Sequence, residues 1–138
     1  MGAVHEFRVR HNKFVDNLPS YIEGVVDDNK ELLDLNREQL MSGRKSSGKY
    51  LPAYSNRSVE EFGKPTGPIL LYDTGEFPES FTITAKGSAY DIQGDDLYDL
   101  AKTYGQDIYG IAKWNQPNAK QITSKSIAEQ YKEIVYTK

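Results

Sequence analysis

An α+β domain is the fold class that the sequence predicts, and three patterns predict it. A long amphipathic stretch covers residues 20–41, a strand–turn–strand alternation covers residues 80–93, and a helix-start signature sits at Ser126. The expected architecture is a single domain over residues 1–138. A long N-terminal amphipathic helix packs on a small antiparallel sheet, a C-terminal helix closes the domain, a long loop spans 44–68, and residues 1–16 form an extended arm.

Each element has its own local reason. Phe7 and Val9 alternate with Arg8 and Arg10, a period of two that reads as a short strand or arm. In the long helix, Ser20-Tyr21-Ile22-Glu23 fits a capping box and Pro19 restricts the residue ahead of it. Ile22, Val25, Val26, Leu32, Leu33 and Leu40 supply an apolar stripe, which Asn29 and Asn36 interrupt. Gly43 suits a C-terminal cap. Residues 44–68 are rich in Gly, Pro and Ser, with Tyr50, Leu51, Tyr54, Val59 and Phe62 as anchors and one helical turn over 59–62.

Further along, Asp73 is placed to cap the amides ahead of it, with Glu76 in the reciprocal position, and Pro78 keeps any helix there short. Phe81, Ile83, Tyr90 and Ile92 face the core of a hairpin that turns at Lys86-Gly87-Ser88. Leu97, Leu100, Ala101 and Tyr104 lie at helical spacing over residues 95–104, and Gly105 ends that helix. Residues 107–111 form a compact apolar turn or strand, residues 114–120 a polar loop, and Ser126-Ile127-Ala128-Glu129 a second capping box that opens a helix through about Tyr136.

Composition bounds the function. The chain has 138 residues and no cysteine, so disulfides, thiolate metal sites and cysteine nucleophiles are excluded. No run approaches the length of a spanning helix, and no secretory h-region is visible, which suggests a protein made in the cytoplasm with no membrane partner. Sequence signatures for nucleotide-binding loops, zinc peptidases and serine hydrolases are missing. His5 and His11 have no nearby acid to complete a metal site. The carboxylate pairs Asp27/Asp28, Glu60/Glu61 and Asp95/Asp96 lie in solvated stretches or helix starts. No catalytic, cofactor or metal site is expected, and no enzyme.

Charge is blocked along the chain. Residues 1–14, 42–70 and 101–138 carry net +2, +3 and +3, while 15–41 and 71–100 carry −5 and −6. Alternating patches suit head-to-tail contact between copies. Ten tyrosines point the same way, since Tyr buries area at low entropy cost and keeps a polar tip. Arg44, Lys45, Lys49, Tyr50, Tyr54 and Phe62 are the candidate assembly-interface residues. The basic run 44–50 supports an alternative, a nucleic-acid-associated module that grips phosphates and stacks Tyr50 on a base. Direct nucleic-acid binding is the less favoured of the two, because the chain is acidic overall.

Several motifs together resemble a known group. Leu35-Asn36-Arg37-Glu38-Gln39-Leu40 ends the long acidic helix, Tyr50-Leu51-Pro52-Ala53-Tyr54-Ser55 closes the polar loop, and Asp73-Thr74-Gly75-Glu76-Phe77 precedes Ser80-Phe81. Lys102-Thr103-Tyr104-Gly105 then leads into Ile108-Tyr109-Gly110-Ile111. Over residues 20–112 this resembles small virion proteins of tailed bacteriophages, of the tail-completion or head–tail joining (neck) type. The resemblance implies a structural subunit of the virion that forms an oligomeric ring with copies of itself and binds other neck, portal or tail proteins. It implies a long loop that clasps a neighbour. It also makes Asp73, Thr74 and Gly75 a structural turn, with Asp73 capping and Gly75 supplying an unusual backbone angle or close packing.

Overall fold

The computed structural model describes residues 2–64, 66–69, 71, 75–87 and 89–136. Helices α1 (Gly2–Asp16), α2 (Leu18–Val26) and α3 (Lys30–Met41) come first, followed by α4 (Asn56–Phe62) and α5 (Glu76–Glu79). A hairpin of β1 (Thr82–Lys86) and β2 (Ala89–Gln93) leads to α6 (Leu100–Tyr104) and a long C-terminal α7 (Gln116–Val135). The class is α+β, with one antiparallel pair of strands among the described residues.

The expected hairpin forms, except that Lys86 ends β1 opposite Ala89 rather than belonging to the turn. Ile83 sits opposite Ile92, both almost fully buried, and Phe81 is buried beside them while Tyr90 is half-buried. Alternation put these side chains on one face of the pleat. Ser88, at the turn, lies outside the described residues.

The single helix expected over 20–41 is instead two helices, and the break has a physical cause. Asp28 takes a left-handed φ of 55°. The Asn29 side chain then accepts a hydrogen bond from the Leu32 N–H at 3.0 Å, the act of an N-cap. The corner between α2 and α3 docks on the open edge of β1: Asp28 N–H donates to the Ile83 carbonyl at 2.9 Å, and the Ala85 N–H donates to the Asp27 carboxylate at 2.6 Å. Breaking the helix thus satisfies an unpaired strand edge. Helix α2 also starts earlier than the Ser20 capping box suggests, with Pro19 in its first turn, where the missing N–H costs nothing.

Three further corrections concern the ends of the chain and residues 95–104. Residues 2–16 are a helix rather than an extended arm. Phe7, His11 and Phe14 fall on one helical face and meet Tyr131 of α7 and Tyr136 just past its end, with ring centroids 5.1–5.8 Å apart. His11 Nδ1 also lies 2.8 Å from the Tyr131 hydroxyl. The polar loop expected over 114–120 is a 3-10 turn followed by the start of α7, so Ser126 lies mid-helix and Pro117 occupies the first turn. Residues 95–99 are not helical: α6 begins only at Leu100, Asp99 has φ 52°, and Leu97 is exposed rather than core-facing. The Asp96 carboxylate accepts from the N–H groups of Leu100 (2.6 Å) and Ala101 (2.9 Å), capping that short helix.

The 44–68 segment contains more structure than its composition suggested. Gly43 follows the α3 C-cap, and Arg44 N–H reaches back to the Gln39 carbonyl at 2.9 Å. Residues 44–50 close into a tight hairpin through a bridge between Arg44 and Tyr50. Leu51 is buried in the main cluster, and α4 runs for two turns rather than one, capped by Ser55. Of the structural turn, Asp73 and Thr74 lie outside the described residues. Gly75 is described and has φ 83°, the left-handed angle expected of it, at the N-cap of α5.

One hydrophobic cluster joins Val26, Leu32, Leu33 and Leu40 to Leu51, Leu71, the hairpin residues, Ile108, Tyr109, Ile111 and Ala119. Inside it lie two polar side chains, Asn36 (0% exposed) and Gln39 (3%). Asn36 donates to the Ile108 carbonyl at 3.0 Å and accepts from the Gly110 N–H at 2.8 Å. Gln39 donates to the Gly110 carbonyl at 3.0 Å and accepts from the Ala112 N–H at 2.8 Å. Three residues apart on a helix, the two amides point the same way. They pair with alternate residues of an extended segment much as a neighbouring strand would. Gly110 is required there: its φ is 114°, and a Cβ would sit 3.2 Å from Ser46.

Asn36→Leu leaves the Ile108 carbonyl and Gly110 N–H unpaired in the interior. It is expected to lower unfolding free energy by about 3 kcal/mol in urea denaturation, whereas a loss below about 1 kcal/mol would argue against the clamp.

Candidate functional site

The clamp delivers residues 108–115 to the C-terminal end of α3, where the 44–50 hairpin also emerges. Their meeting forms a cleft of about 400 Å³ lined by Glu38, Gln39, Ser42, Arg44, Tyr50, Trp114 and Asn115. Its centre is a cation between aromatic faces. The Arg44 guanidinium carbon lies 4.1 Å from the Trp114 ring centroid and 5.0 Å from that of Tyr50. Each such contact contributes about 0.5–1 kcal/mol at an exposed site. Gln39 joins cleft to core, since its side-chain oxygen also accepts from Asn115 at 3.1 Å.

Of the candidate interface residues, Arg44 and Tyr50 are brought together here, with Tyr50 62% exposed. Lys45 turns the other way. Its ammonium donates to the Tyr104 carbonyl at 2.8 Å and pairs with Asp107 at 3.3 Å. Asp107 also accepts from the Ser47 hydroxyl at 2.5 Å, and the Ser46 N–H donates to the Asp107 carbonyl at 2.7 Å. The basic hairpin is therefore pinned to the chain after α6. Lys49 remains exposed. Tyr54 is half-buried with the Lys64 ammonium 5.7 Å from its ring, and Phe62 stands 66% exposed on α4.

The sequence read Trp114 as part of a polar loop and so missed it as a site residue. The spacing of Trp114 from the hairpin carries no local signal, because the contact depends on where α7 starts.

The carboxylate pairs have structural roles where their bonds are seen: Asp27 docks β1, Asp96 caps α6, and Glu61 pairs with Arg57 at 2.9 Å. Among the described residues, no group of three or more His, Asp or Glu side chains could hold a metal ion. The cleft offers recognition chemistry: a fixed cation, two aromatic faces and the Glu38 carboxylate, on a floor held by the Gln39–Asn115 hydrogen bond.

A second concavity lies at the opposite chain ends. Helices α1, α2 and α7 enclose a groove of about 690 Å³, lined mainly by apolar side chains that include Phe14, Ile22, Ile127, Tyr131 and Tyr136. The sequence did not signal it, because the arm reading of residues 1–16 removed one of its walls.

Among the described residues, no helix is long and apolar enough to cross a membrane. Comparison with protein-family models, curated proteins and solved structures finds no match.

Asp107 carries a testable pH dependence. Burial works to raise its pKa, but the hydrogen bonds from Ser47 and Lys45, with the Lys45 charge, outweigh it and hold the carboxyl below its ordinary value of 3.8. A depressed folded-state pKa stabilises the fold above the unfolded value, and that contribution fades as pH falls through the folded one. Asp107→Asn should lower stability at neutral pH and flatten the loss seen on acidifying from about pH 5, measured by denaturation at several pH values. An unchanged acid limb would mean that the Lys45–Asp107–Ser47 cluster does not hold the hairpin.

Proposed function

We propose that this chain is a structural virion protein of a tailed phage: a subunit of a ring at the head–tail junction, of the connector or tail-completion type, that works by docking on copies of itself and on neighbouring neck, portal or tail proteins. In this reading the chain carries out no reaction and acts within the virion. The observation that carries it is the amount of large apolar side chain left on the surface of a small domain. Tyr50, Phe62, Leu97, Tyr98 and Tyr136 are each more than 60% exposed. Exposed aromatic residues of this kind suit interface cores. The blocked charge of the chain and its resemblance to neck proteins support the same reading.

The 44–68 segment enters this reading in a narrower form than a free clasp. Its first part belongs to the body of the domain through Leu51 and the Asp107 cluster, so the exposed faces of Tyr50 and Phe62 are the surfaces it offers, with Trp114 beside Tyr50 across the cleft. Nucleic-acid binding by residues 44–50 gains less support, because Arg44 and Lys45 are engaged within the chain.

Light scattering on a size-exclusion column, run over a concentration series, tests the proposal. The expected result is a discrete oligomer several times the monomer mass that grows with concentration. A monomer at every concentration would contradict it, and salt-sensitive DNA binding by that monomer would favour the nucleic-acid module.

A further inference from the structure

The apolar groove between α1, α2 and α7 has a counterpart elsewhere on the same surface. Residues 95–99 read Asp-Asp-Leu-Tyr-Asp. Leu97 and Tyr98 are 73% and 82% exposed, with the exposed carboxylates of Asp95 and Asp99 on either side. This knob is held in shape rather than loose, because the Asp96 carboxylate caps α6 directly behind it.

The groove is its complement in both respects. It has room for two large side chains, and Lys132 is the only charged side chain among the described residues that line it. Lys132 is exposed, near the C-terminal end of α7. An apolar pair flanked by carboxylates thus matches an apolar trough that carries a cation. The two features belong to different parts of the fold: the groove walls pack on one another, whereas α6 packs chiefly on the turn that follows it.

Resting on the assembly reading above, we propose that the Leu97–Tyr98 knob of one copy docks in the α1–α2–α7 groove of the next. Because knob and groove are different patches, the contact is heterologous and head-to-tail. Such contacts close into rings when the rotation per copy allows it. Burial of the leucine and tyrosine supplies the affinity, and pairing of the knob carboxylates with Lys132 sets the register.

The chain contains no cysteine, which gives a clean test. Two single variants, Lys102→Cys beside the knob and Ala128→Cys, both at exposed positions, are mixed and treated with a short bismaleimide cross-linker; Ala128 lines the groove. A covalent heterodimer that joins one chain of each variant is expected. In parallel, Leu97→Ser/Tyr98→Ser should raise the assembly midpoint concentration at least about tenfold with unchanged circular dichroism. Lys132→Glu should weaken assembly, and Asp95→Lys in the same chain should restore part of it.

If the wild-type chain assembles while the double serine variant assembles equally well and no heterodimer forms, the knob-and-groove contact is wrong and the assembly reading stands. If the wild-type chain stays monomeric at every concentration, both fall together.

Discussion

Two buried side-chain amides hold this fold together. Asn36 and Gln39 sit in the middle of an otherwise apolar cluster and bond to the backbone of residues 108–112. The main chain after α6 has little sheet to join, since the hairpin provides only two strands. Without the amides, its peptide groups would be buried unpaired, at about 1–3 kcal/mol each. With them, the segment carries Ile108, Tyr109 and Ile111 into the core and fixes where α7 begins.

Other features depend on that placement. Trp114 stacks on Arg44 because the segment leads into the 3-10 turn at the end of α3. Asp107, at the front of the same segment, receives Lys45 and Ser47 and so folds the basic hairpin against the body. Arg37, between the two clamp residues, donates to the Pro78 carbonyl at 2.8 Å and ties α5 to the same helix. One short stretch of α3 thus organises three loops.

The hairpin was legible in the sequence because alternation and turn chemistry are local. The α+β class and the short helix at Pro78 were legible for the same reason. Other elements depended on partners distant in the chain. Asn29 and Asn36 both looked like blemishes in an apolar stripe, yet one caps a new helix and the other satisfies a buried strand-like segment. Phe7, His11 and Phe14 form a helical face only once Tyr131 and Tyr136 are present to cover it. Pro117 resembled a loop residue but occupies the first turn of α7, a position that suits proline. Of the cleft, Arg44 and Tyr50 could be singled out from the sequence, whereas Trp114 could not. The groove was hidden by the same misreading that made residues 1–16 an arm.

The docking surfaces proposed for assembly stand on this internal order, since the cleft and the α7 wall of the groove both follow from where residues 108–115 run. Amide hydrogen exchange at Gly110 and Ala112, followed by NMR on the intact protein, tests that order most directly. If the clamp organises the fold, both N–H groups exchange only as fast as the whole domain unfolds. Exchange at the rate of an open loop, while the β1 and β2 amides stay protected, would contradict the account.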